Sequence, residues 1–409
     1  MKKLLMVIPF DRFYPPMNGG SLRCFNLLNQ LCKYFEVTAL MHQDIESFSK
    51  SGAEFPDIKN ANLLSTKDNK EKKDIYSLLP LKYRDAIRFR IWNRSLTEPA
   101  ESSYLLLYPQ MKEFLQSYPV DYVILEDMSI ISLAKLVKRY HPGVPVIYDA
   151  YNVNSKLSAV ALEKSMISQR EYDGILKTET SLYNWVTKIF TCSENDLEEL
   201  RSMNGGRIDG AVIPNGVGIP DTLKEEPAES GLGSNEILFC GSLDYLPNQE
   251  GLSWFCRHVF PLVLNRLPAA QLLVVGKGNP GEDLAELLKG RGIVNYGMVD
   301  RVDTYYKKAA LAVVPLLSGS GTRLKLLESM AHRVPVVSTT SGAEGINYAD
   351  GKNILIADGA ELFAQRVVEM LDNPPMARQI SQEAFRFVQN EYDWNIVGKK
   401  MFDYISGLN

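Results

Sequence analysis

Arg323, Lys325 and Glu328 lie on one predicted helix, directly after the glycine-rich loop 318–321. Glycines let a backbone approach a ligand closely, and a first helical turn has unpaired N–H donors and a partial positive charge. A loop and helix start of this kind favour the binding of an anion. The two cations stand at a helix end where the dipole disfavours them, so a bound phosphate would compensate. Glu328, about one turn further on, could accept hydrogen bonds from a diol such as a ribose.

The elements that must position these residues follow from the surrounding pattern. Residues 311–338 predict strand, loop, helix and strand, with the helix over 322–332. Leu324, Leu327 and Ala331 recur at helical spacing and are expected to pack on a sheet, which leaves the lysine and the glutamate on another face. On these residues alone, an ordinary βαβ unit with a glycine turn and solvated charges stays open.

Residues 319–346, GSGTRLKLLESMAHRVPVVSTTSGAEGI, resemble the donor-site signature of retaining GT-B glycosyltransferases of family 4, the glycosyl transferases of group 1. The resemblance implies that Glu328 binds the ribose of a sugar nucleotide and that the loop and helix start hold its diphosphate. The family pattern is glutamate, seven residues, glutamate, and the first acid falls here on Ser320. Contact with the transferred sugar must then come from backbone or hydroxyl groups. The implied diphosphate-binding residues of the loop are Gly319, Ser320, Gly321 and Thr322.

A second series of strands and helices surrounds this motif. Strands over 236–240, 270–275 and 294–296, with a helix over 252–267, predict a Rossmann-like domain. The resemblance implies that Gly241-Ser242 opens on the diphosphate and that the backbone near Met298 and Val299 holds the base.

Many relatives carry an arginine and a lysine after the glycine of the first of these strands. This chain has GSLDYLPNQEG instead, in which Asn248 is the polar candidate. The charge of a phosphate would therefore be met mainly by Arg323 and Lys325.

The N-terminal half begins with a similar series. A strand over 4–10, a loop over 11–20, a helix over 21–35 and a strand over 36–41 predict another Rossmann-like domain. The pair Gly19-Gly20 resembles the N-terminal glycine loop of GT-B transferases, which meets acceptor or donor. Any tight turn from strand to helix could also use two glycines.

Further buried strands are predicted over 122–125, 144–148 and 188–192. Glu126, Asn152 and Ser193 follow their ends and are expected to line a cleft, because ligands gather at the carboxyl ends of parallel strands. Tyr151 stands where the resembling family has a histidine near the reacting sugar. A phenol can hydrogen-bond a sugar hydroxyl but is a poor base, since its ordinary pKa is about 10.

These patterns predict an α/β GT-B fold, with two Rossmann-like doubly wound domains facing a central cleft. The predicted acceptor domain covers 1–217 and ends at a Pro-Asn-Gly-Val turn, and 218–234 is linker-like. The predicted donor domain covers 235–390. A C-terminal helix within 391–409 is expected to pack back on the first domain.

Composition narrows the class of protein. The 409 residues are 45% hydrophobic and 23% charged, with a net charge of −4, which disfavours nucleic-acid binding. Five scattered cysteines without a C-x-x-C pair, and only four histidines, favour reduced thiols in a cytoplasm over a zinc site. No signal peptide or membrane span is predicted. The stretch 82–94 is basic and amphipathic, which suggests peripheral contact with the inner face of a membrane or, alternatively, a helix packed on its own domain.

The resulting hypothesis is a retaining, metal-independent glycosyltransferase without a cofactor. It would move a sugar from a nucleotide-diphosphate donor to a glycan or lipid-linked acceptor in cell-surface polysaccharide or glycan biosynthesis. The residues assigned to catalysis are Arg323, Lys325, Tyr151 and Asn152. Two alternatives stay open: a sugar-nucleotide epimerase or hydrolase on the same fold, and a non-catalytic nucleotide-sugar-binding subunit.

Overall fold

The computed structural model describes residues 1–10, 14, 16, 19–41, 58, 60–66, 102–219, 223, 231–319 and 323–408. The predicted basic helix 82–94, most of the linker 218–234 and the loop residues Ser320, Gly321 and Thr322 lie outside them. The chain divides into two compact units: unit 1 is Met1–Pro214 with Gly398–Asn409, and unit 2 is Asn215–Val397.

The described strands of unit 1 form one parallel sheet of order β3-β2-β1-β4-β5-β6-β7. Leu4 of the central strand pairs with Val37 on one side and Tyr122 on the other. This is the doubly wound order of a Rossmann-like domain. The strands are β1 Lys3–Ile8, β2 Glu36–Met41, β3 Asn62–Ser65, β4 Tyr122–Glu126, β5 Val146–Ala150, β6 Lys188–Thr191 and β7 Asp209–Val212.

Helices cover both faces of this sheet, which explains why its central strands are continuous apolar runs rather than alternating ones. Every residue of β4 and β5 is buried. The helices are α1 Gly19–Leu31, α2 Ser102–Ser117, α3 Ala134–Tyr140, α4 Asn154–Glu163, α5 Gln169–Glu179 and α6 Glu194–Met203, with 3₁₀ turns at Met128–Leu133 and Leu182–Asn184.

The described strands of unit 2 form a second parallel sheet, of order β10-β9-β8-β11-β12-β13. Successive residues of β8 enter two different cores: Ile237 and Phe239 pack on one face, and Leu238 packs on the other. The strands are β8 Glu236–Cys240, β9 Gln271–Val275, β10 Ile293–Gly297, β11 Leu311–Val314, β12 Val336–Ser338 and β13 Leu355–Ile356.

The helices of unit 2 include one break with a clear cause. The helical pattern predicted over 252–267 forms as two helices joined by a π-helical turn, Phe255–Val259. Pro261 has no N–H to donate back along a continuous helix, and the π turn absorbs the mismatch. The helices are α7 Leu246–Trp254, α8 Phe260–Arg266, α9 Gly281–Leu287, α10 Asp303–Lys308, α11 Leu324–Ala331, α12 Ala360–Asp372, α13 Pro374–Glu391 and α14 Trp394–Ser406, with a 3₁₀ turn at Ser341–Ala343.

The last helix, α14, begins in unit 2 and ends in unit 1. Its C-terminal part packs within unit 1, where Phe402 stacks on Tyr34 and Tyr404 meets the edge of Phe190. In the part of the chain that the structure describes, every helix is too short or too polar to traverse a bilayer.

Several predicted boundaries need correction. The described helix α11 begins at Leu324, and its core face consists of Leu326, Leu327, Met330 and Ala331, while Leu324, predicted to pack on the sheet, is only half-buried. The short strands β3, β7 and β13 were not predicted, because two to four residues carry too little periodicity to signal a strand.

A buried ion pair ties α1 to the end of β5. The Arg23 guanidinium donates Nε to Asp149 Oδ2 at 2.8 Å and Nη2 to Oδ1 at 2.7 Å, and Nη1 to the Pro214 carbonyl at 3.1 Å. The two side chains are 1% and 0% exposed. In the sequence, Arg23 and Asp149 are each a charged residue within an otherwise apolar, buried stretch. Only the fold shows that they pair with each other.

We expect Asp149→Ala to lower the free energy of unfolding of unit 1 by about 3 to 5 kcal/mol, because it leaves a buried guanidinium without its counter-charge. Urea unfolding followed by amide hydrogen exchange in β5 measures this. The control is Asp403→Ala, which removes an exposed pair with Lys399 and should cost less than about 1 kcal/mol. Equal losses in the two variants would contradict the prediction.

Candidate functional site

The Lys325 ammonium is enclosed at the carboxyl end of the unit 2 sheet. Its Nζ donates to Asn248 Oδ1 at 2.5 Å and lies 4.6 Å from the centroid of the Phe239 ring. Burial lowers the pKa of Lys325 to about 8, against the opposing effects of Cys240 and Glu328 and with the help of the nearby charge of Arg323. Among the described residues, no carboxylate lies within ion-pair distance of this ammonium. It is a cation held mainly by neutral groups.

Asn248 and Gly241 create the space for this cation. Asn248 is 4% exposed, and its Nδ2 donates to the Ser242 carbonyl at 2.7 Å, which fixes the amide so that its oxygen faces the lysine. A Cβ on Gly241 would lie 2.7 Å from Lys325 Nζ and 2.9 Å from Asn248 Nδ2. A side chain at position 241 would therefore displace both groups.

Strand register explains why these residues meet. Strands β8 and β11 are parallel neighbours, with Leu311 beside Ile237 and Ala312 beside Leu238. Their carboxyl ends therefore lie at the same edge of the sheet, and the described residues that follow them, 241–248 on one side and 315–319 with 323–325 on the other, are adjacent there. This is the edge at which open parallel sheets bind ligands.

Arg323 is the N-cap residue of α11 and is 5% exposed. Its Nε donates to the Ser341 carbonyl at 3.2 Å and its Nη2 lies 3.4 Å from Glu344 Oε2. Burial lowers the pKa of this guanidinium, and Glu344 opposes the shift. Arg323 is thus tied to the 3₁₀ turn after β12, and its charge acts on Lys325.

Gly319 is the last described residue of the loop before Arg323, and its φ of +114° favours glycine. A Cβ there would lie 3.3 Å from both terminal guanidinium nitrogens of Arg323 and from the Tyr245 hydroxyl. The guanidinium therefore lies against Gly319 of the glycine loop. Ser320, Gly321 and Thr322 lie outside the described residues, so their assignment to the diphosphate stays a prediction.

Glu328 lies one turn along α11 from Lys325. Its Oε2 accepts from the Tyr306 hydroxyl at 3.3 Å. Burial raises the pKa of the Glu328 carboxyl, and the Tyr306 hydrogen bond and the charges of His332 and Lys325 pull it back. Its assignment to a ribose stays a prediction from the sequence.

Other residues assigned to the donor are less directly engaged. The Gly241 amide already donates to the Val275 carbonyl at 2.9 Å, so it is committed within the sheet edge. Met298 is 76% exposed and Val299 packs on the core; both follow β10, which is two strands away from β8.

In unit 1, three of the predicted site residues come together. The Tyr151 hydroxyl donates to Glu126 Oε2 at 2.6 Å, and a Cβ on Gly20 would lie 3.2 Å from the Tyr151 ring. Glu126 is fully buried rather than open to a cleft. Burial, then the charge of Asp149, raises the pKa of Glu126, while burial and Glu126 together raise that of Tyr151. Tyr151 therefore stays protonated and is not a base.

The remaining residues of unit 1 that were assigned to the site lie in a helix cap, at a helix start and in a turn. Ser193 is the N-cap of α6: its hydroxyl accepts from the Asp196 amide at 3.2 Å and donates to the Asp196 carboxylate at 2.7 Å. Gly19 is the first residue of α1, and Asn152 is half-buried in the turn after β5.

Sequence reasoning missed the groups that enclose the assigned residues. Phe239, Tyr306 and His332 contact Lys325 or Glu328, and none of them was singled out. Phe239 sits inside a strand that is apolar throughout, and Tyr306 comes from a short helix distant in sequence. The signal that could have found Tyr306 is its hydroxyl, because a buried tyrosine usually needs a hydrogen-bond partner.

Two doubly wound α/β units, one with enclosed cations at the carboxyl edge of its sheet, define a GT-B fold. The comparisons confirm the resemblance read from the sequence: residues 234–373 match the family model described as Glycosyl transferases group 1. The matched residues lie within unit 2, Asn215–Val397.

Similar proteins support the same class. An uncharacterized 44.6 kDa protein in the cps region of Klebsiella pneumoniae is 28% identical over 204 residues, 48% of this chain and 51% of that protein. A GDP-mannose-dependent alpha-(1-6)-phosphatidylinositol monomannoside mannosyltransferase of Mycolicibacterium smegmatis is 24% identical over 46% of this chain and 52% of that enzyme. The chain thus spans about half the length of these relatives.

A solved structure extends the fold likeness to both units. Anabaena HepE in complex with UDP aligns over 100% of both chains with a TM-score of 0.68 and 12% identity. At that identity the likeness shows the fold alone.

The lowered pKa of Lys325 makes a prediction for the ligand-free protein. Between about pH 8 and the ordinary value of 10.5, the native lysine is neutral while the unfolded chain still binds its proton. Stability should therefore rise with pH across this window, because the unfolded state binds more protons. Urea unfolding from pH 7 to 11 should show this extra rise in the parent protein and not in Lys325→Met.

The matched control is Lys352→Met, at an exposed position of unit 2. It should keep the slope of the parent protein. If the free energy of unfolding rose with pH equally in the parent protein and in Lys325→Met, the ammonium would not be enclosed as described.

Proposed function

We propose that the chain is a retaining, metal-independent glycosyltransferase that moves a sugar from a nucleotide-diphosphate donor to a glycan or lipid-linked acceptor. The observation that carries this is the Lys325 ammonium, which Asn248 and Phe239 hold beside Gly241 without a carboxylate partner among the described residues. A half-buried cation held by neutral groups is an incomplete ion pair. The diphosphate of a donor would complete it.

The chemical reason is the charge of the leaving group. When the glycosidic bond to the donor phosphate breaks, negative charge grows on the diphosphate, and preorganised donors stabilise that charge without having to rearrange. Lys325 and Arg323 supply two such cations from one helix start. Among the described side chains, His, Cys, Asp and Glu do not gather in a group of three that could hold a metal ion. The proposal therefore assigns the phosphate charge to the chain itself.

The proton of the acceptor hydroxyl needs a destination. Tyr151 is a poor candidate, since its hydroxyl is committed to Glu126 and its pKa is raised. We therefore assign the proton to the leaving phosphate, and we assign Tyr151 to hydrogen bonding. Asn152, Gly19, Gly20 and Ser193 stay proposals for the acceptor side.

The relatives suggest which substrates to try first. The Mycolicibacterium enzyme is named as GDP-mannose-dependent with a phosphatidylinositol mannoside acceptor, and HepE was solved with UDP. GDP-sugars and UDP-sugars are thus the first donors, and a lipid-linked glycan is the first acceptor. A role in cell-surface polysaccharide or glycan biosynthesis, and membrane contact through 82–94, are part of the proposal and rest on the sequence.

The first experiment screens GDP- and UDP-sugars for a rise in melting temperature, since a ligand that binds the native state stabilises it by mass action. The stabilising donor is then incubated with acceptors in excess chelator. Activity should survive the chelator, and the anomeric configuration of the donor should be kept in the product. Turnover without acceptor would favour a hydrolase or epimerase, and binding without turnover a non-catalytic subunit. Strict dependence on magnesium or manganese would contradict the metal-free assignment.

Lys325→Ala should slow transfer more than it weakens donor binding, because the charge that the lysine meets grows toward the transition state. The loss of one preorganised donor is worth about 2 to 4 kcal/mol in the barrier. Steady-state kinetics with the identified donor measure this as a fall in kcat. The control is Lys289→Ala, an exposed lysine of the same unit that pairs with Glu286, and it should leave kcat unchanged. Full activity in Lys325→Ala would remove the lysine from the mechanism.

A further inference from the structure

Tyr306 is a fully buried tyrosine whose hydroxyl lies among polar side chains of α11 and β8. It lies on α10 at 0% exposure, and its hydroxyl donates to Glu328 Oε2 at 3.3 Å. The Cys240 thiol, from the end of β8, and the Ser329 hydroxyl, next to Glu328 on α11, also interact with this hydroxyl. The half-buried Glu328 carboxylate is thus held by Tyr306 at one of its two oxygens, which leaves Oε1 to accept from a second donor.

His332 contacts both Tyr306 and the backbone of Glu328. Its ring stacks on the Tyr306 ring at 4.4 Å between centroids and 17° between planes. Its Nδ1 is 2.8 Å from the Glu328 carbonyl oxygen, to which it donates because a carbonyl can only accept. Its Nε2 lies 3.4 Å from Asp303 Oδ1, on the same helix as Tyr306. Helices α10 and α11 are therefore connected through this ring, directly beside the carboxylate.

We propose that Tyr306 and His332 are positioning residues that orient Glu328 toward the two hydroxyls of a nucleotide ribose. The inference rests on the proposed function, since it takes Glu328 as the ribose-binding group. Tyr306 fixes one carboxylate oxygen, and His332 fixes both the Tyr306 ring and the backbone of Glu328. Neither residue needs to touch the nucleotide.

The electrostatics agree with this division of roles. Glu328 is faced by Tyr306 from α10, by Cys240 from β8 and by Lys325 and His332 from its own helix. Burial raises the pKa of the carboxyl, and the Tyr306 hydrogen bond is the largest of the effects that oppose it. Loss of that hydroxyl would leave a carboxyl that is less well oriented and more readily protonated, and a protonated oxygen no longer accepts from a ribose hydroxyl.

The test measures how much more tightly the protein binds a ribonucleotide than a nucleotide without the ribose hydroxyls, rather than affinity for one nucleotide alone. Dissociation constants of the full chain are measured by titration calorimetry for GDP, UDP and their 2′,3′-dideoxy counterparts. In the parent protein the ribonucleotide should bind more tightly than the dideoxynucleotide. In Tyr306→Phe this preference should fall roughly three- to tenfold, as expected for an indirect effect on a charge-assisted hydrogen bond, while the dideoxynucleotide binds as before. His332→Leu should lower the preference in the same direction.

Two comparisons separate positioning from a general loss of structure. Tyr305→Phe, at the neighbouring half-buried tyrosine that packs on Tyr296, should leave the preference unchanged. In a Glu328→Ala background, Tyr306→Phe should have no further effect on the preference, because a positioning residue acts only through the residue it positions.

The outcomes distinguish this inference from the proposed function. If the parent binds neither GDP nor UDP, the proposed function fails and the inference fails with it. If the parent prefers the ribonucleotide but Tyr306→Phe keeps that preference, or weakens both nucleotides equally, only the positioning role is overturned. An unchanged preference in His332→Leu would overturn the part assigned to His332.

Discussion

The enclosure of the Lys325 ammonium is the constraint on which the rest of unit 2 depends. A lysine that is kept from water favours its neutral form, and here burial lowers its pKa to about 8. The amide of Asn248 and the ring of Phe239 offset part of that cost, and neither is a full counter-charge. Position 241 has to be glycine for these groups to meet, and the fold has to bring the ends of β8 and β11 together. Under the proposed function, the diphosphate of the donor would stabilise this arrangement further.

Parallel pairing at the centre of the sheet is what makes this arrangement possible. In the order β9-β8-β11-β12 the chain leaves each strand at the same edge, so loops distant in sequence converge there. Asn248 and Lys325 are 77 residues apart along the chain and 2.5 Å apart in space. The 3₁₀ turn after β12 adds Ser341 and Glu344, which hold Arg323 at the same edge.

The sequence predicted the fold class, and most elements long enough to show a period. Strands β2 and β8 have the predicted bounds, because each is an apolar run between polar residues. It also predicted that Lys325 and Glu328 share a helix near a glycine loop. It could not predict the Asn248 to Lys325 contact or the Tyr306 to Glu328 contact. Such contacts depend on which strands become neighbours, and local periodicity carries no information about that.

The two units show how a structural buried cation differs from one available to a ligand. Arg23 in unit 1 is fully buried and donates to both oxygens of Asp149, so its charge is neutralised within the fold. Lys325 in unit 2 has, among the described residues, an amide and a ring in place of a carboxylate. Burying a charge without a counter-charge costs stability, and a fold would gain nothing from it unless an anion is bound for part of the time. The missing carboxylate, rather than the presence of a cation, is therefore our reason for proposing that a phosphate binds at the carboxyl edge of unit 2.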